Sequence, residues 1–94
     1  MRHLLLLAVL VALAGCRGGD DRTRLVVYSP HGRDLLQAYE DAFEAANPDV
    51  DVQWLDMGSQ SVLERIRTER GNPQASVWWG APQTLFMEAA ADSL

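Results

Sequence analysis

The sequence predicts an α/β fold in which three short strands alternate with three helices, βαβαβα, with the strands parallel. Three observations carry this. Apolar runs at 25–28, 50–55 and 76–79 are each followed by a segment whose apolar residues recur at intervals of three and four. The first run, Leu25-Val26-Val27-Tyr28, does not alternate, as befits a strand covered on both faces. The connections between units are short, and alternating elements of this kind close into a parallel sheet through right-handed crossovers.

The first helix is expected over 34–46, where Leu35, Leu36, Tyr39, Ala42, Phe43 and Ala46 fall on one face and Glu40, Asp41 and Glu44 read as its solvated side. Asn47-Pro48 stops it, because proline disfavours helical backbone in the residue before it. The run VDVQWL alternates, with Val50, Val52 and Trp54 on one side and Asp51 and Gln53 on the other, so the second strand has a wetter face and belongs near an edge. Gly58-Ser59-Gln60-Ser61 opens the second helix; Ser61 and Glu64 have capping-box spacing, and Ser59 is the alternative cap. Val62, Leu63 and Ile66 form its apolar stripe, and Gly71-Asn72-Pro73 ends it. SVWW, 76–79, reads as the third strand. Gly80-Ala81-Pro82 leads into a third helix carrying Leu85, Phe86, Ala89 and Ala90, with proline tolerated in its first turn.

What precedes these units has another character. MRHLLLLAVLVALAGC pairs a basic start with an apolar run over 4–14 that is short of the ~20 residues of a membrane-spanning helix. It has the build of a signal peptide, expected over 1–15. Leu13-Ala14-Gly15-Cys16 resembles the lipobox of bacterial lipoproteins, which implies lipidation of Cys16 and attachment to a membrane through it. Cys16 is the single cysteine, so no internal disulfide can form. RGGDDRTR is polar and carries both charge signs, which suits a flexible tether over 16–24, leaving 25–94 for the folded part.

Hydrophobic residues make up 48% of the 94 and charged residues 22%, an ordinary globular balance. A net charge of -5 speaks against nucleic acid as a partner. All eight basic residues other than histidine are arginine, so lysine chemistry is excluded.

In an open parallel sheet, ligands bind beyond the carboxyl ends of the strands. Those ends are Ser29-Pro30-His31-Gly32, Met57-Gly58-Ser59-Gln60-Ser61 and Gly80-Ala81-Pro82, each leading into a helix N-terminus with unpaired N–H groups and partial positive charge. Ser29, His31, Ser59, Gln60, Trp79 and Gly80 are therefore the candidate ligand-binding residues. Each has a plainer reading: the serines as helix caps, His31 as a turn residue, the tryptophans as core, with Trp79 the nearer to the rim.

The segments LVVYSPH, AFEAANPDVDVQW and GSQSVLERIRTERGNPQASVWWGAP resemble the N-terminal part of bacterial extracellular solute-binding proteins, the receptors of ABC importers, in the branch that includes receptors for ferric iron and for phosphonates and other organophosphates. Leu63, Arg65, Ile66, Glu69, Asn72, Pro73, Ala75, Val77, Trp79 and Gly80 match that family's helix-to-strand pattern, while Ser76 stands where it usually has aspartate. The resemblance covers about 25–94. It implies a partial lobe of a class II periplasmic-binding-protein fold, the chain stopping inside the first of two lobes, and a cell-envelope location facing the periplasm or the outside. It also implies a small-molecule or metal ligand and an ABC importer permease as partners, and delivery by hinge closure. No resident cofactor is implied; ferric iron would be cargo. His31 matches a loop position that coordinates metal in iron receptors, and Ser29 and Ser59 match positions facing ligand. Iron receptors carry an acid early in the second helix where this chain has Ser61, which favours an oxyanion. A small structural or sensory lipoprotein is the rival reading, opposed by an open parallel sheet edge that calls for a further strand. An anchored hydrolase lacks a third group to orient Ser29 and His31 as nucleophile and base.

Overall fold

The computed structural model describes residues 21–94; the expected signal peptide, Cys16 and most of the expected tether lie outside them. Six elements follow one another: β1 (Thr23–Ser29), α1 (Arg33–Ala46), β2 (Val50–Asp56), α2 (Ser59–Thr68), β3 (Val77–Trp78) and α3 (Gln83–Ala91). The sheet order is β2-β1-β3, and both pairings are parallel. This is the α/β arrangement that the alternation of strand and helix patterns predicts.

The direction of winding reverses within these elements. The chain passes from β1 to β2 on one side, then returns past β1 to β3 on the other. Right-handed crossovers place the connecting helices of such a path on opposite faces. Accordingly, one face carries Leu25, Val27, Val52, Trp54, Val77 and Trp79 beneath Leu36, Tyr39 and Phe43 of α1. The other carries Tyr28 and Trp78 beneath α2 and α3. β1 lies between both neighbours, which is why its last three residues are buried and why its sequence does not alternate. Val62 and Leu63 of α2, with Leu36 and Ala89, complete the buried apolar set.

Several boundaries differ from the sequence reading. β1 begins at Thr23, two residues early, because Thr23 and Arg24 pair with Val50 and Asp51. The ladder reaches back as far as β2 does, whatever the polarity of the side chains. Neither Ser59 nor Ser61 caps α2: Gly58 holds the cap position and no side chain bonds there. α2 also stops at Thr68, four residues before Asn72, in a turn where Arg70 N–H donates to Arg67 O and Asn72 N–H to Glu69 O. α1 ends as expected at Asn47, whose main-chain N–H and Nδ2 both donate to the Phe43 carbonyl at 2.8 and 3.0 Å. β3 is two residues long by pairing, although Ser76 N–H donates to Val26 O and Trp79 N–H to Tyr28 O on either side of it.

The acids of α1 are more than a solvated face. Glu40 accepts the indole N–H of Trp54 at 2.6 Å and so ties α1 to β2, and Glu44 pairs with Arg22 at 3.4 Å. Beneath α2, the phenol of Tyr28, 1% exposed, donates to the Glu69 carboxylate at 2.9 Å and accepts from Arg65 Nε at 3.1 Å. Burial first, and then the Glu69 carboxylate, push the Tyr28 hydroxyl above its ordinary pKa. α2 and α3 are laced together by Arg67, which reaches Glu64, Glu88 and Asp92 at 2.6–2.8 Å.

Candidate functional site: the rim at the carboxyl ends of the strands

The parallel register puts the three strand ends side by side. Ser29 stands opposite Asp56, and Tyr28 opposite Trp78. The turns that follow, 29–33, 57–59 and 79–82, therefore share one edge of the sheet. At each, a helix begins with no side chain capping it: Gly32, Gly58 and Pro82 occupy the cap positions and none makes a capping bond through a side chain. The first N–H groups of all three helices are left for whatever occupies the rim.

β1 and β3 bracket the point where the winding reverses, and a crevice opens where helices depart to opposite faces. Four of the six expected residues are brought together here. The His31 imidazole packs against the Trp79 indole with centroids 4.8 Å apart. It also lies directly over Gly80, where a Cβ would stand 2.2 Å from His31 Nε2. Gly80 has φ +93°, a backbone state that side chains resist, so both the turn and the ring above it require glycine. Ser29 is fully buried, its Oγ donating to the Trp79 carbonyl at 2.6 Å and accepting from His31 N–H at 3.3 Å. Ser29 is expected from the resemblance to face ligand; here its hydroxyl proton is committed within the protein.

Ser59 and Gln60 stand apart from these four, in the first turn of α2. The link is through the backbone, Met57 N–H donating to Ser29 O at 3.1 Å. Gln60 uses its amide to donate to Glu64 along the helix at 3.1 Å, whereas Ser59 is half-buried.

Two residues at the rim escaped the sequence reading. Tyr39, spaced as a core residue of α1, is 57% exposed, and its ring meets Trp79 edge-on at 4.9 Å. Arg33 occupies the first position of α1, exposed and without an ion pair among the described residues. An arginine at a helix N-terminus opposes the helix dipole, and that conflict was the legible signal. Asp34 follows it in the same turn.

Among the described residues no three His, Cys, Asp or Glu side chains are grouped to hold a metal, and His31 turns Nε2 toward the Gly80 backbone. The donors on offer are backbone N–H groups, the Ser59 hydroxyl and the Arg33 guanidinium, beside the carboxylates of Asp34 and Asp56. A groove of about 520 Å³ lies elsewhere, lined by Ile66, Trp78, Phe86, Ala89 and Leu94.

Among solved structures, the chain is similar to the periplasmic binding protein P5PA, with a TM-score of 0.73 and 25% identity over 78% of this chain and 23% of that one. The fold is a partial lobe of a periplasmic binding protein. This lobe spans under a quarter of that neighbour's length, at 23%. No protein-family model and no curated protein matches the sequence.

Proposed function

We propose that this chain is part of the ligand-bearing lobe of an extracellular solute-binding protein, tethered through a lipidated Cys16, that captures an organophosphate or phosphonate and delivers it to an ABC importer permease. The observation that carries the reading is the alignment of three uncapped helix N-termini on one sheet edge, at the reversal point of the winding. Partial positive charge and N–H donors face the rim, with no acidic side chain in the first turn of α2 or α3 and Asp34 alone in that of α1. Likeness to a periplasmic binding protein supports the same reading. On this reading the rim binds and releases its ligand unchanged. Ligand shifts a hinge equilibrium because the closed state adds contacts from a second lobe, and it can shift it only by that difference in affinity.

One lobe contributes only part of the contacts, so the 94 residues alone are expected to bind at about millimolar strength, worth roughly 4 kcal/mol. Amide NMR titration with inorganic phosphate and a phosphomonoester tests this. Shifts should concentrate in 31–35, 58–61 and 80–84. Shifts scattered over the surface, or none at any of the three turns, refute the anion site. Micromolar affinity in calorimetry refutes the two-lobe mechanism. Mass spectrometry of the mature protein decides the Cys16 anchor.

A further inference from the structure

We propose that Ser29 is a positioning residue that locks the three turns of the rim into one register, rather than a ligand contact. Each of the three hydrogen bonds made by its hydroxyl and carbonyl goes to a different turn. Its hydroxyl donates to Trp79 O at 2.6 Å in the third turn, the same oxygen accepts His31 N–H at 3.3 Å in the first, and its carbonyl accepts Met57 N–H at 3.1 Å in the second. The residue is 0% exposed. A ligand seeking that hydroxyl would have to reach a buried atom and displace its bond to the Trp79 carbonyl.

The residue type follows from this. Alanine keeps the volume nearly unchanged but removes both side-chain bonds. Threonine adds a methyl where no surface is free. Cysteine nearly preserves the shape but substitutes a weak donor and acceptor. Serine alone both fits and bonds in two directions. His31 reinforces the lock from outside, resting on Trp79 and Gly80, so the first and third turns are joined once through a buried hydroxyl and once through an exposed ring.

The test is amide hydrogen exchange on the full chain without ligand, comparing wild type with Ser29→Ala and Ser29→Cys. The His31 amide should exchange about fivefold faster in both variants, the ratio that loss of one hydrogen bond of ordinary net strength produces. The Met57 amide, bonded to a main-chain carbonyl that both variants retain, and the Trp79 amide, bonded to Tyr28 O, should keep their protection. Equal acceleration at all three means general destabilisation and overturns the proposal, as does an unchanged His31 amide. If Ser29→Ala fails to fold, Ser29→Cys carries the comparison.

A second arm rests on the anion-site reading above. Inorganic phosphate should bind the Ser29 variants about fivefold more weakly or worse while still shifting the same turns. Undiminished affinity overturns the positioning role. A wild-type chain indifferent to phosphate refutes the anion site instead, and the exchange comparison then decides on Ser29 by itself.

Discussion

Replacing Gly80 with alanine tests the rim where it is most tightly built. At φ +93° an L-residue is strained, at a cost of about 1–3 kcal/mol. The added Cβ would also meet His31 at 2.2 Å from Nε2 and 2.8 Å from both neighbouring ring carbons. No such contact survives, so the imidazole must move. It belongs to an exposed side chain and can swing away, which limits the penalty to its lost packing on Trp79, about 0.5–1.5 kcal/mol. Together the substitution should cost roughly 1.5–4.5 kcal/mol, read from the urea midpoint at constant slope. A double-mutant cycle divides the sum. With His31→Ala already present the collision is gone, so Gly80→Ala should cost only the backbone part, and the coupling should be about 0.5–1.5 kcal/mol. A total cost below about 0.5 kcal/mol, within the range of ordinary surface changes, would show that Gly80 is neither strained nor covered. A coupling near zero would show that His31 does not rest on it.

Three further outcomes follow from the packing on the other face. Tyr28→Phe removes a buried hydroxyl from between Glu69 and Arg65 and should cost about 1–3 kcal/mol in urea unfolding. Burial works to raise the Glu69 pKa, but the hydrogen bonds from Arg65 and Tyr28 prevail and hold it below the usual glutamate range. The folded state therefore binds that proton less readily than the unfolded chain. Stability from Glu69 is complete above the unfolded pKa of ~4.3 and is lost as pH falls through the lower folded value. A pH series of urea midpoints should show this loss in wild type and a weaker acid dependence in Glu69→Gln. Leu63→Ala, at a position 0% exposed, should cost about 2–5 kcal/mol, whereas Leu55→Ala, 42% exposed, should cost under about 1 kcal/mol by the same measurement.

Much of the fold was legible because its signals are local. The spacing of Leu35, Leu36, Tyr39 and Phe43 makes a helix wherever it lies, and Asn47-Pro48 ends that helix with bonds made within four residues. The unbroken run at Val26–Val27–Tyr28 already required a strand with neighbours on both faces. Boundaries set by pairing were less visible. Thr23 and Arg24 are extended because β2 lies beside them, and Ser59 leaves the cap position to Gly58 because the turn from β2 brings the chain in along that path.

For the candidate site, the sequence determined which residues stand at strand ends, since strand, turn and helix N-terminus are fixed by neighbours along the chain. It thus placed His31, Ser59 and Gly80 at turns and Trp79 at the end of the third strand, and supplied the small, polar and glycine-bearing chemistry of the rim. Tertiary structure alone decided that β3 pairs with β1 on the side away from β2, which brings the first and third turns together across 50 residues of chain. That pairing turned Ser29 inward, laid His31 over Gly80 and set Trp79 against Tyr39, while the packing of α1 on β2 gave Glu40 its partner in Trp54. The physical reason is range: periodicity and capping act within a turn or two, whereas a buried hydroxyl finds its partner only after the sheet has assembled.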